Sequence, residues 1–356
     1  MKLGIIGLPA SGKSTVFRAL TGSTHLGDRR AHDTSVGVVR VEDPRLDFLG
    51  DHHKPKKVTP VHVQYSDIAG ITGEGKPGHS IGDKVLALIR PLDALVHCVR
   101  FFDSARAGTA EPLKDLRSAE EEMVLSDLAT VEKRLERVER DFRKGKKELA
   151  EEMGLLKEAK SLLDEGKPLR YLPVVTESEK LRGFAFLSAK PELVLVNAGE
   201  MKRPQEIQQT AEQIRSELSG QPRIAVDWLY ADTEAEIARL SPEEAREFLE
   251  ELSLEEGAKE RIIRTSLQLL SLIVFFTVSE PEVRAWALEK GKTALKAAGT
   301  VHTDMERGFI RAEVVAFDDF RQAGSMPAAH KAGKVRLEGR DYVVRDGDII
   351  YFRFNV

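Results

Sequence analysis

The chain has a single cysteine, Cys98, in 356 residues. That excludes an intramolecular disulfide and a cysteine-based zinc site, and it fits a reducing compartment. Long hydrophobic runs are missing too: no apolar stretch reaches about 18 residues, and the N-terminal run Leu3 to Leu8 is too short for a signal h-region. Secretion and membrane spanning are therefore not expected, and the expected location is the cytoplasm. Nor is there an excess of charge of either sign. Fifty-four basic side chains face 58 acidic ones, a formal charge of -4, so the molecule as a whole does not attract nucleic acid and any such contact needs a local patch. Repeats and low-complexity tracts are absent.

What is present describes a packed chain. Hydrophobic residues at 41% and charged residues at 31% rule out wholesale disorder, and the length exceeds what one core usually serves, so two or three units are expected. Lys2 to Gly7 reads as a strand ended by glycine, with a loop and an amphipathic helix after it. Val36 to Val41, Val61 to Asp67 and Ala94 to Phe101 read as further strands, and Leu193 to Asn197 and Ile224 to Trp228 repeat the signature later.

Between them Ser118 to Gly166 has no strand signal. Leu128, Val131, Leu135, Val138 and Phe142 step by three and four, Lys144 to Lys147 break the pattern, and Leu149, Met153, Leu156, Ala159 and Leu163 resume it. This predicts an antiparallel helical hairpin with a coiled-coil seam. Lys133 to Glu148 holds eight basic and four acidic side chains, a solvated face or a contact for phosphate backbone. After Ser241 to Glu244, which read as a helix start, helices run to about Leu272. Beyond Phe276 the chain reads as a small mixed β module, with strands at Phe309 to Val315, Lys334 to Leu337, Asp341 to Val344 and Ile349 to Phe354 and a helix at Glu282 to Leu288. The expected units are 1–117 with 186–275 for nucleotide binding, 118–185 for the insertion and 276–356 for the C-terminal module.

The strongest motif is Gly7, Leu8, Pro9, Ala10, Ser11, Gly12, Lys13, Ser14, Thr15, a phosphate loop between a strand and a helix. Its glycines turn backbone N–H groups toward the β-phosphate, Lys13 places a charge between β- and γ-phosphates, and the Ser14 hydroxyl can ligate Mg²⁺. Asp67 and Gly70, in Asp-Ile-Ala-Gly at the end of a strand, fit a second metal-organising carboxylate and a γ-phosphate-sensing amide. The glycines at 73, 75, 78 and 82 suggest a switch loop. Cys98 in an apolar strand reads as inert, His302 as structural, and His52 to Lys57 as a solvated connection and not a metal cluster.

The runs Gly7-Leu-Pro-Ala-Ser-Gly-Lys-Ser-Thr15, Ser35-Val-Gly-Val-Val-Arg-Val-Glu-Asp-Pro-Arg-Leu-Asp47, Asp67-Ile-Ala-Gly-Ile71, Ile89-Arg-Pro-Leu-Asp-Ala-Leu-Val-His-Cys-Val-Arg100, Val131-Glu-Lys-Arg-Leu-Glu-Arg137 and His302-Thr-Asp-Met-Glu-Arg-Gly-Phe-Ile-Arg-Ala-Glu-Val314 resemble the Obg-like ATPases of the YchF type, over essentially the whole chain. The resemblance implies an α/β fold: a P-loop NTPase domain with an inserted α-helical coiled-coil hairpin and a C-terminal β-grasp, ubiquitin-like TGS domain. It also implies a ribosome-associated nucleotide switch with ribosome or ribosomal RNA as partner. A monomer and no sequence recognition of DNA are separate expectations.

At the base-reading position the chain has Asn197, Ala198, Gly199 and Glu200 where most GTPases of the class have Asn-Lys-x-Asp. A longer carboxylate cannot keep the guanine fork, whereas the Asn197 amide suits adenine, so ATP is expected over GTP. Ile71 stands where related GTPases place a water-orienting Gln, Ala10 where the family has an Asn linked to potassium, and Thr34 is the nearest hydroxyl for closing over Mg²⁺. The loop after Arg100 lacks the histidine common in the family; His79 is a candidate substitute, although an exposed loop histidine more often has no such role. Slow intrinsic hydrolysis follows. The alternatives are a nucleotide-responsive RNA- or ribosome-binding module with little hydrolysis, and a GTP-specific translation-associated GTPase.

Overall fold

The computed structural model describes residues 1–22, 34–68, 83–105, 107–251 and 257–355. Its strands are β1 (Lys2–Ile6), β2 (Ser35–Arg40), β3 (Lys57–Thr59), β4 (His62–Asp67), β5 (Ala94–Phe101), β6 (Glu192–Ala198), β7 (Ile224–Leu229), β8 (Leu272–Val278), β9 (Glu282–Glu289), β10 (Phe309–Ala316), β11 (Arg336–Glu338) and β12 (Asp348–Phe354). They form two six-stranded sheets, ordered β2-β4-β1-β5-β6-β7 and β11-β10-β12-β8-β9-β3. The chain divides into one unit of residues 1–39 and 64–269 and another of residues 40–63 and 270–356.

In the first unit β1 pairs in parallel with β4 and β5, β5 with β6, and β6 with β7. β6 is buried at every position and β5 at all but its last, which is why both read as unbroken apolar runs. The registers Ile5 to Asp67, Ile6 to His97 and Arg100 to Asn197 bring the C-terminal ends of β1, β4, β5 and β6 to one edge. Ligands of open parallel sheets bind at that edge.

The helical insertion forms as its periodicity predicts, though its first helix, Pro112–Arg143, begins before Ser118 because Pro112 occupies the first helical position. The chain reverses through Lys144 to Leu149 and returns as Ala150–Asp164. Val131, Val138, Leu156, Ala159 and Leu163 are buried in one cluster, with Leu128, Leu135, Leu149 and Met153 packed on it. Arg134 locks the arms with a fork to Glu152, Nε to Oε1 at 2.7 Å and Nη2 to Oε2 at 2.9 Å. Behind the hairpin, buried Arg170 donates to Glu192 of β6 at 2.5 Å, and Glu192 also meets His97 Nδ1 at 2.7 Å. Burial opposes a charge on Glu192, yet Arg170 and His97 together hold its carboxyl well below the usual range.

The second unit begins with the antiparallel pair β8 and β9, continues through the helix Ala294–Val301, and places β12 parallel to β8 and antiparallel to β10. A hairpin, a helix and a last strand inserted beside the first is the arrangement of a β-grasp. Phe275, Ala298, Val314 and Ile350 lie in its core.

Several sequence expectations change here. Glu282 to Leu288 is strand β9 and not a helix, because Val283, Ala285 and Leu288 are buried against the sheet while pairing with β8 outweighs local helix preference. Asp341 to Val344 forms no strand beyond an isolated bridge from Val343 to Thr293. β8 belongs to the second sheet, so the sheet boundary falls before Leu272 and not at 276. Residues 40–63, expected in the nucleotide-binding part, cluster with the C-terminal residues, because β3 adds to β9 in parallel and Arg45 bonds Asp346 at 2.6 Å. His52 and His53 end the helix Pro44–His53, and both pack on Phe320 with ring centroids 5.3 and 5.4 Å away. His52 is itself exposed, as are Lys54, Lys56 and Lys57, so the stretch is solvated as read while its two histidine rings still pack.

Candidate functional site

The loop after β1 is built by two residues that only glycine suits. Gly7 has φ 147° and Gly12 has φ 88°, in the range that favours glycine. A Cβ on Gly7 would run into the Cys98 carbonyl, and one on Gly12 into the Asn197 amide nitrogen. Between them Ala10 also takes a positive φ, 62°, the strained turn such a loop demands. The helix Lys13–Thr21 then starts with Gly12 as its cap and no side chain on its first N–H groups, which leaves the positive end of the helix dipole facing the loop. Lys13 Nζ donates to Gly7 O at 3.1 Å and Leu8 O at 2.8 Å, arching over the loop. Thr15 Oγ1 accepts from Arg18 at 3.1 Å, and Pro9 is exposed.

Ser14 Oγ donates to Asp67 Oδ2 at 2.8 Å. A hydroxyl from the first turn of the helix Lys13–Thr21 and a carboxylate from the end of β4 thus meet beside the loop, an oxygen pair of the kind Mg²⁺ selects. Ser11 Oγ is buried without a hydrogen-bond partner, a donor that a phosphate oxygen would satisfy. The side-chain-free cradle, this orphan hydroxyl and the Ser14 and Asp67 pair fit a magnesium-bound triphosphate. Thr34 stands just before β2, where the described chain resumes. Gly70, Ile71 and His79 lie outside the described residues.

On the base side, Asn197 is buried, and it has a part that the sequence did not show. Its Nδ2 donates to Ser11 O at 3.0 Å and its Oδ1 accepts from Ala231 N at 3.3 Å. The amide ties the phosphate loop to β6 and to the helix Ala231–Ile237, so it positions the loop. Ala198 is buried in the strand, and Glu200 is exposed with one long contact from Thr233 Oγ1 at 3.4 Å. Lys202 Nζ lies 4.7 Å over the Phe101 ring, and its carbonyl accepts from Tyr230 at 2.8 Å.

Two contributors carry no motif. Arg100, buried at the end of β5, donates to the carbonyls of Phe102, Ala107, Gly108 and Thr109 at 2.7 to 3.1 Å, so one guanidinium shapes the loop beside Gly12. Only an apolar strand ending in an arginine hinted at this. Cys98 donates its thiol to Ser11 O at 3.1 Å, and burial pushes that thiol up to about 11, which keeps it inert as the sequence suggested.

Two family models match the chain, one described as 50S ribosome-binding GTPase over residues 2–149 and the other, YchF-GTPase_C, described as protein of unknown function (DUF933), over residues 272–355. The ribosome-binding ATPase YchF of Bacillus subtilis (strain 168) is 40% identical over 366 residues, covering 99% of this chain and 99% of its own. The Obg-like ATPase 1 of Homo sapiens is 35% identical over 367 residues, covering 100% of this chain and 92% of its own. Among solved structures, the Schizosaccharomyces pombe YchF GTPase aligns with a TM-score of 0.82 and 30% identity, over 99% of this chain and 97% of its own.

Proposed function

The chain belongs to the YchF family of Obg-like ATPases, and we propose that it is a magnesium-dependent, ribosome-associated hydrolase that prefers ATP to GTP and turns over slowly. The observation that carries this reading is the 2.8 Å contact of Ser14 Oγ with Asp67 beside the Lys13 ammonium. Loop N–H groups and the helix end hold the β-phosphate, and Lys13 supplies charge between the β- and γ-phosphates. Ser14 and Asp67, with Thr34 as the closing hydroxyl, hold magnesium, which supplies neutralisation of the phosphate oxygens. Gly70 serves as the amide that senses the γ-phosphate.

Preference for ATP rests on the base side. Glu200 replaces the aspartate fork that rewards guanine, and adenine has no N1–H to reward a carboxylate. Ile71 has no group to align water, which fits a slow rate that a partner raises. The relatives' printed names supply the ribosome as that partner, the hairpin and the C-terminal β-grasp, read as a TGS domain, being the parts outside the nucleotide sheet. Co-sedimentation with ribosomes under ATP and under ADP tests the reading: pelleting that depends on the nucleotide supports it, and a chain that stays in the supernatant under both sinks it.

A further inference from the structure

We propose that a small cavity at the N-terminal edge of the first sheet, the edge opposite the phosphate loop, holds one free phosphate ion. The cavity, of about 160 Å³, is lined by Asp93 just before β5, Lys190 just before β6 and Arg223 just before β7, and Thr176, Arg182 and Ala185 close it from the end of the insertion. Sites for drug-sized ligands run to about 300–1,000 Å³, so this one admits a small ion and no nucleotide.

Lys190 is what sets the cavity apart. Three lysine or arginine side chains are buried among the described residues, Arg100, Arg170 and Lys190. Arg170 pairs with Glu120 and Glu192, and Arg100 approaches Asp115 at 4.0 Å. Among the described residues no carboxylate lies within ion-pair distance of Lys190, whose partners are carbonyls: its ammonium donates to Arg90 O at 3.0 Å and to Leu92 O at 2.7 Å. Those bonds engage two of its N–H groups and leave one for a further acceptor. They also leave the charge uncompensated, and a buried charge without a counter-ion is costly. Burial accordingly pushes the ammonium down to about 8, a shift that Asp93 and Asp127 oppose and Arg223 reinforces. An anion entering the cavity supplies the missing charge.

The remaining walls select phosphate. Arg182 meets Glu179 only at 3.9 Å, and Asp93, the acid that lines the cavity, already accepts from the Lys2 backbone N–H at 2.7 Å. Lys190, Arg182 and Arg223 stand on separate segments, so a tetrahedral oxyanion can give each its own oxygen, whereas a planar carboxylate has only two to offer. Ala185 and Arg223 both take a positive φ, 47° and 57°, strain of the kind that persists at ligand clamps. A phosphate held here ties the end of the insertion to the lower edge of the nucleotide sheet.

The test uses the full chain saturated with magnesium and a non-hydrolysable ATP analogue, so that the phosphate loop is filled, and titrates inorganic phosphate by calorimetry. The wild type should bind phosphate, and Lys190→Met and Arg223→Gln should each bind it at least about tenfold more weakly. Unchanged affinity for the analogue reports that the variants are folded, and Arg223, being exposed, decides the matter if Lys190→Met does not fold. The proposal is overturned if the wild type binds no phosphate, or if Arg223→Gln binds it like the wild type. Phosphate bound only when the analogue is left out belongs to the phosphate loop and overturns it as well, and acetate bound as tightly as phosphate overturns the choice of ion. The cavity does not rest on the nucleotide or ribosome reading: if the analogue itself fails to bind, the nucleotide reading falls, while phosphate binding that is lost in Arg223→Gln still supports the cavity.

Discussion

The Asn197 amide nitrogen occupies the space that a side chain on Gly12 would need, and the same amide donates to Ser11 O at 3.0 Å. The end of the sixth strand of the chain thereby fixes the height of the phosphate loop, two segments 186 residues apart in sequence. Phosphate binding and the base-side strand are mechanically one object at this point.

Gly12→Ala should weaken nucleotide binding by at least about tenfold, through a strained φ worth about 1 kcal/mol or more and displacement of the Asn197 amide. The double variant Gly12→Ala/Asn197→Ala should recover part of that loss, since the colliding group is gone. Calorimetric titration of both variants checks this, and strictly additive losses would argue against the contact as the cause.

Removing either half of the oxygen pair should uncouple nucleotide from metal. In Ser14→Ala and Asp67→Asn, ATP affinity measured with and without magnesium should converge, whereas the wild type keeps a clear difference. A variant that retains the wild-type magnesium effect would place the ion elsewhere.

Arg100→Lys keeps the charge but not the fork that serves four carbonyls. Stability to urea should fall by roughly 2 kcal/mol, since buried carbonyls left unpaired cost about 1–3 kcal/mol each, and the KM for nucleotide should rise because Phe102 borders Gly12. Wild-type values for both would show that the loop holds itself.

Asp127 gives a pH dependence. Burial pushes its carboxyl up to about 6, although Ser188 Oγ at 2.6 Å and the Leu187 and Ser188 N–H groups at 2.9 and 2.8 Å donate to it. The folded group binds its proton more tightly than an unfolded aspartate of about 3.9. The native state therefore carries more protons between about pH 4 and 6, and stability falls as pH rises through that window. Relative to Asp127→Asn, the wild type should lose roughly 2–3 kcal/mol across it. Parallel urea-unfolding curves would contradict the assignment.

Local chemistry is what the sequence made legible. The Gly7 to Ser14 spacing, the apolar run of Ala94 to Phe101 and the seam through Val131, Val138 and Leu156 each express a rule acting within one turn, one strand or one helix, and each forms as read. Pairings between distant segments were not legible. Glu282 to Leu288 has a helix-compatible composition, and only its partner Leu272–Val278 makes it a strand. Lys57 to Thr59 carries no strand signal until residues 282–284 lie beside it. Residue type alone could not reveal that the Asn197 amide joins Ser11 O to Ala231 N. Arg100 has no motif at all, since its four acceptors are backbone atoms that any residues could supply.

The decisive measurement is the pair of dissociation constants for ATP and GTP on the intact chain with magnesium present. ATP bound about tenfold tighter or more, with Lys13→Ala abolishing both titrations, is the predicted result. GTP bound tenfold tighter than ATP, or no heat from either nucleotide, would contradict it.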